Sequence, residues 1–490
     1  MSAAVRWADL ERRCFNAPLS IHAWRWVGIP SLCLIALAKP WLFGVAAVAL
    51  ALFALIWRRP HLVVLSFIVL MGNVKVNYYT GLVTLFPEYP ILLVASLVGV
   101  LKQLERPRAL PQTQVLMWFA LWTLAGLGSV AFAYNVPRVL SKAMLAVIAA
   151  AIFELTVLSL RNRRDLDRAL NWLTASASLV ATYGIVQMAG VFLGIDTSLG
   201  FLRRWGNPEF EYSVGAPVLY RLTSTFRANS LFNDPNILGG YLAAVLPLIV
   251  VRLLTPRQGR TRMVLVGETA AFLLVLFCLL LTLSRSGFLG AFLGVAVALV
   301  FLPEALRRGR LWFGLVAGGT AAVAASAAIG VNALVLLGRL NSALEGTEFS
   351  AQVHRDLFRY GLELFARYPL TGIGFHNFGE YYAREVDPTA SNMMAHNMWL
   401  SNFAEAGLVG GIAYVMLCWA IGSQPFRVAR SPEARRRDPY LHTAVAGLFG
   451  GLIALAVTNA FYDFSLRTFV WVFAGLAVAA SRFVSMEPAC

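Results

Sequence analysis

Long apolar runs alternate with short polar breaks along this chain, and the runs are about 20 residues long rather than alternating residue by residue. A helix needs ~20 apolar residues to cross a hydrocarbon core of ~30 Å. The runs therefore predict membrane helices near 27–39, 41–57, 61–80, 89–104, 115–134, 139–160, 167–190, 236–254, 263–283, 286–303, 311–335, 398–422, 441–461 and 466–485. The expected count is 12–14, because Pro40 divides the first two short runs, which fit a re-entrant hairpin or one kinked span. Two long polar stretches break the pattern, at 191–235 and 336–397. Inside the second, Leu357, Tyr360, Leu364 and Phe365 recur at helical spacing between Val353 and Tyr368, and Pro369 stops the helix.

The pattern predicts an all-α, polytopic helical membrane protein with a large, partly helical external loop between two late helices. One integrated membrane domain is expected: an N-terminal bundle over 1–190, a loop over 191–235, central helices over 236–335, the large loop over 336–397 and C-terminal helices over 398–490. A β-barrel is excluded by the length and continuity of the runs. No inverted internal repeat of the transporter kind is visible.

Composition agrees. The chain of 490 residues is 59% hydrophobic and only 13% charged, about half the ~25% of an ordinary soluble domain, which leaves no room for a separate soluble activity. The net charge of +16 raises the question of nucleic acid, but its distribution answers it. Basic residues gather in every second short loop, as at Arg58 and Arg59, Arg161 to Arg164, Arg252 to Arg262 and Arg427 to Arg437. That is the positive-inside signature, not a nucleic-acid face. It sets both termini in the cytoplasm and brings 191–235, the turn SRSG at 284–287 and 336–397 to the opposite side. The N-terminus lacks a signal-peptide cleavage pattern, so the first apolar run is expected to stay as an anchor. The five cysteines are scattered, with no metal-binding spacing.

Three positions on the outer side could carry chemistry. Arg285 sits in SRSG, where a cation runs against positive-inside statistics and the serines and glycine suit an anion-binding turn; a snorkelling arginine is the bland alternative. Arg221 and Arg227 precede a helix for which Asp234 is the expected N-cap and Pro235 the first residue. Gathered there, arginines would suit a diphosphate; a solvated loop is the alternative. His396 stands where the long loop re-enters the membrane, fit for a general base or a plain capping residue, with Glu405 nine residues further on. His354 and His376 are weaker candidates, and their spacing does not resemble a metal site.

The stretches RANSLFNDPNILGGYL, LTLSRSGFLGAF, HRDLFRYGLELFARYPLTGIGFHNFGEYY and AHNMWLSNFAEAGLVGG, in that order, resemble the O-antigen ligase and polymerase superfamily of bacterial inner-membrane enzymes. The resemblance is strongest over about 200–420. It implies a metal-independent, inverting glycosyl transfer with no cofactor, from an undecaprenyl-diphosphate-linked glycan to an acceptor hydroxyl at the periplasmic face. His396 falls on the family's loop histidine and would take the hydroxyl proton. Arg285 falls on the arginine of the external turn and, with Arg227 or Arg221, would bind the diphosphate. Arg355 and Glu405 fall on recurrent positions, Glu405 as a structural acid orienting His396 or a helix end.

A lipid A–core sugar is the acceptor expected first. The end of another repeat unit, in a polymerase, and a protein hydroxyl, in an O-oligosaccharyltransferase, are the alternatives. Aromatics in 191–235 (Phe201, Trp205, Phe210, Tyr212, Tyr220) could stack on sugars. A small-solute transporter is the reading from a different class; it would need ionisable residues near the midplane on broken helices.

Overall fold

The computed structural model describes residues 40–73, 78–79, 84–85, 88–105, 113–197, 199–203, 213–214, 218–220, 225–232, 234–255, 260–302, 349–390 and 393–485. The expected spans at 27–39 and 311–335 lie outside the described residues, as does Arg221. The helices are α1 (Pro40–Arg58), α2 (His61–Asn73), α3 (Glu88–Glu105), α4 (Thr113–Gly128), α5 (Val136–Ser159), α6 (Arg163–Leu193), α7 (Pro235–Leu254), α8 (Arg262–Leu281) and α9 (Arg285–Val300). They continue with α10 (Phe349–Arg367), α11 (Phe378–Glu385), α12 (Met398–Arg430), α13 (Pro432–Arg437), α14 (Pro439–Thr458) and α15 (Thr468–Ser485).

Among the described residues 7 helices are long and apolar enough to cross a membrane: α4 with its 3-10 extension, α5, α6, α7, α8, α12 and α14. Parts of α1 and α2 form a pair bent by 118° across Arg59 and Pro60, giving up to 8, and α9 and the bulk of α15 are shorter apolar helices. The chain is thus a polytopic all-α membrane protein. The only extended structure among the described residues is three two-stranded ribbons: β1 (Tyr78–Tyr79) with β2 (Thr84–Leu85), β3 (Leu199–Arg203) with β4 (Ser213–Val214), and β5 (Val218–Tyr220) with β6 (Thr225–Arg227). Phe201 and Tyr220 ride on these ribbons; Trp205, Phe210 and Tyr212 lie outside the described residues.

Helix starts follow one device. A short polar side chain closes the first turn, often with proline just inside it. Asn135, Asp234 and Asp438 cap α5, α7 and α14 in this way, and Thr261, Ser284 and Asn397 cap α8, α9 and α12 without the proline. The expected cap at Asp234 is as read: its carboxylate accepts from Asn236 N–H at 2.6 Å.

α7 is the central span, 89% buried, whereas α8 is 28% buried and lies at the margin. α7 packs along α9 and α14. Between α9 and α14 the contact is backbone on backbone. A Cβ on Gly294 would come within 2.5 Å of Gly450 O, and one on Gly450 within 2.3 Å of Gly294 O. Helices in lipid gain nothing from hiding apolar surface from one another, so small residues that allow close approach supply the attraction.

α12 is broken. Gly407 has φ 66° and ψ −171°, which interrupts the helical ladder inside a span. Freed backbone groups cannot go unpaired at such depth. Residues 369–374 supply the partners: Ile373 N–H donates to Ala404 O and Gly374 N–H to Glu405 O, both at 3.0 Å, while Leu408 N–H donates to Pro369 O at 2.8 Å. Gly372 has φ 67°, and a Cβ there would lie 2.3 Å from Glu405 O; one on Gly407 would lie 2.3 Å from Leu370 O. PLTGIG and EAG are thus two halves of one backbone joint, and the joint fixes the end of the long loop against the membrane bundle.

Candidate functional site

The turn before α9 is built from beneath. Arg227, at the end of β6, is buried; its Nε donates to Thr282 O at 2.7 Å and an Nη to Asn236 Oδ1 at 3.0 Å. Ala228 N–H donates to Leu281 O at 3.0 Å. Leu283 takes the left-handed conformation (φ 49°), and Ser284 Oγ then accepts from Gly287 N–H at 3.2 Å. Arg285 is the first residue of α9, half-buried at the mouth of this turn. Arg227 therefore holds the backbone that presents Arg285 through Nε and ties it to Asn236 at the start of α7 through an Nη.

His396 precedes the cap of α12. It too is left-handed, with φ 47°, and Met398 N–H donates to Asn459 O at 2.9 Å, tying this entry to the end of α14. The imidazole lies between two rings, 4.7 Å from His354 and 5.4 Å from Tyr462 between centroids. Tyr462 in turn donates to Asp234 Oδ2 at 3.3 Å, joining the group to the start of α7. His396 Nδ1 is buried and has no hydrogen-bond partner among the described residues.

Burial lowers the His396 pKa, with the negative charges of Asp234 and Asp463 acting in the opposite sense. His354 is pushed down to about 4 by burial, then by the charges of His396 and Arg285. Both imidazoles are accordingly neutral at ambient pH. The influence of Arg285 on His354 reflects their proximity, so the turn of α9, the start of α10 and the entry to α12 converge.

α10 brings His354 there. Leu357, Tyr360 and Leu364 are its buried face, Gly361 sits against Leu400, and Phe365 packs on Phe403 at 5.6 Å. This is the helix expected from Val353 to Tyr368, seen over Phe349–Arg367. Arg355, next along it, is exposed.

Glu405 does not reach His396. Its carboxylate pairs with Lys142 of α5 at 2.7 Å, both side chains being buried, and accepts from His376 N–H at 2.7 Å. Lys142 Nζ also stands 5.1 Å above the Phe375 ring. A turn earlier on the same helix, Arg138 pairs with Glu380 at 3.1 Å, and Asn135 accepts from Asn377 Nδ2 at 3.1 Å and donates to its Oδ1 at 2.7 Å. In the structure Glu405 serves the joint between α5, α12 and residues 375–377.

Of the residues expected from sequence, His396 lies against His354, which feels the charge of Arg285; Arg227 lies beneath the Arg285 turn, Glu405 bonds to Lys142 and His376 N–H, and Arg355 is at the surface. Lys142, Tyr462 and Asp463 were not singled out, and His354 stood among the weaker candidates. A lysine inside an apolar run is itself a signal, since a charge there needs a partner. Ser230, Leu283, His376 and His396 are the non-glycine residues with positive φ among the described residues, and all four lie in the segments that build this region. Such backbone strain concentrates where surrounding contacts over-determine a functional geometry. Among the described residues no three of His, Cys, Asp and Glu group as a metal site would.

A family model described as O-antigen ligase matches residues 270–415. That region holds Arg285, His354, Arg355, His376, His396 and Glu405. Lys142, Arg227, Asp234 and Tyr462, which complete the surroundings, lie outside it. Over 448 residues the chain is 22% identical to the teichuronic acid biosynthesis protein TuaE of Bacillus subtilis (strain 168), covering 84% of this chain and 81% of the relative. Three of the four sequence stretches lie within the matched region, and RANSLFNDPNILGGYL, at 227–242, lies before it.

Proposed function

We propose, for a chain whose residues 270–415 match the O-antigen ligase family, that it transfers a glycan from an undecaprenyl-diphosphate carrier to an acceptor hydroxyl at the periplasmic face of the bacterial inner membrane. The observation that carries this reading is a neutral imidazole with an unpartnered ring nitrogen, His396, lying 4.7 Å from His354, which in turn feels the charge of Arg285 at a helix start. The acceptor hydroxyl attacks the anomeric carbon. A new glycosidic C–O bond forms, and the bond from that carbon to the diphosphate oxygen breaks with inversion. The bonding pair leaves on the diphosphate, whose charge Arg285 balances. The hydroxyl proton goes to His396. Arg227 acts through the turn it holds, and Arg221 remains a second candidate for the diphosphate.

A lipid A–core sugar is the acceptor proposed first. Growth of a polymer, one lipid-linked repeat unit attacking another, is the second reading, and the relative's assignment to teichuronic acid biosynthesis favours it. The test offers purified protein the lipid-linked glycan with lipid A–core, the same lipid-linked glycan, or a pilin-type peptide. Transfer to one acceptor, lost in His396→Ala and Arg285→Ala, is expected. Wild-type transfer by a folded His396→Ala protein sinks the proposed role of the histidine.

A further inference from the structure

At the far end of α7, about 26 Å along the helix from Pro235 at ~1.5 Å per residue, lies a second polar site. A cavity of about 600 Å³ opens between α6 and α8, lined by Asn171, Arg252, Arg260, Gly267 and Glu268 among others. Arg252 is 6% exposed. It reaches Glu268 at 3.6 Å and donates to Asn171 Oδ1. Arg260 pairs with the same Glu268 and donates to Leu253 O at 3.1 Å. Among the described residues, one carboxylate thus faces two guanidinium groups, leaving one positive charge unbalanced between helices.

The donors are unbalanced too. Among the described residues, Arg252 Nε and Nη1 and Arg260 Nε are buried without a hydrogen-bond partner. Leaving several N–H groups and a net charge unmatched beside an apolar bundle is costly, so an arginine pair of this kind calls for an anion with several acceptor oxygens. A self-contained ion pair would need one arginine, not two.

The opening has a lipid-facing rim. Met263 and Val266, at the start of α8, are 85% and 67% exposed. Gly267 leaves the entrance clear, since a Cβ there would meet no atom within 4 Å. The loop that carries Arg260 belongs to the basic, cytoplasmic set. We infer that this cleft binds a phosphate-bearing anion, with a headgroup of the cytoplasmic leaflet or a soluble phosphate as its source.

The test uses the full chain, purified in detergent and stripped of lipid. Its Tm is read with phosphatidylglycerol, with a phosphate-free glycolipid of the same acyl chains, and with inorganic phosphate. Phosphatidylglycerol, inorganic phosphate or both are expected to raise Tm by several degrees, as a ligand selective for the folded state does, while the glycolipid does not. A response to phosphatidylglycerol alone assigns the lipid; one to inorganic phosphate assigns the soluble anion. Arg260→Gln removes one of the facing cations, and Gly267→Leu fills the entrance without touching an arginine. Both are expected to lose the shift, while Arg436→Gln, an exposed arginine on α13, keeps it. No shift in the wild type with either phosphate source, an equal shift with the glycolipid, or a shift preserved in both cleft variants would overturn the inference.

Discussion

At the scale of single residues, the proposed chemistry depends on an imidazole that is neutral. The pKa of His396 is lowered by burial, so its unprotonated form persists below the ordinary histidine value of ~6.5. A base must be unprotonated to accept; protonation begins only as pH falls through the lowered value. The acid limb of kcat/KM against pH is therefore expected below 6.5, and a limb at or above that value counts against His396 as the base. Lys142 and Glu405 make a separate prediction. Each is buried against the other, so Lys142→Met strands a carboxylate and should cost about 3–5 kcal/mol, read as a loss of thermal stability. Pairing it with Glu405→Leu should recover much of that loss, because no charge is then left alone. A double mutant no more stable than the single one would show that the ion pair is not what joins these helices.

At the scale of elements, the broken helix explains why two distant glycines are both needed. Gly372→Ala or Gly407→Ala places a Cβ within 2.3 Å of a backbone oxygen at a left-handed residue, and nothing flexible can move aside. Each is expected to lower thermal stability and abolish transfer together. Gly422, in the same helix α12, has no atom within 4 Å of its would-be Cβ, so Gly422→Ala should be neutral or gain up to about 1 kcal/mol. Equal behaviour of the three variants in thermal unfolding would rule out the joint as described.

These elements also mark how far the sequence could be read. The Asp234 cap and the α10 stripe were legible because each is a local pattern a few residues long. His396 and Arg285 were legible through motifs. The break in α12 was not, because a glycine in an apolar run reads as a small packing residue until its partner, 35 residues upstream at Gly372, is seen beside it. Lys142 lies 263 residues from Glu405, and no spacing rule joins them. The ribbons in 191–235 were missed because strands of 2 to 5 residues are too short to show an alternating pattern.

At the scale of the whole molecule, the candidate site is closed by parts of α5, α7, α9, α10, α12 and the link from α14 to α15. All of these ends share one side of the bundle if the basic loops share the other. In a background without the native cysteines, Thr389→Cys on the long loop should react with an impermeant thiol reagent from outside the inner membrane. Arg436→Cys on α13 should react only after the membrane is opened. Labelling of both from the same side would overturn the topology.

The link between α14 and α15 bears on how the protein is made. Tyr462 packs on His396 from 66 positions later in the chain, and Asn459 receives the N–H of Met398. A ribosome adding roughly 5–20 residues per second delivers that segment several seconds after the histidine. Until it has inserted, the growing polypeptide carries the histidine and the arginine turn without the wall that encloses them. On the proposed function, competence for transfer is thus withheld from the nascent chain, however many of its helices already stand in the bilayer.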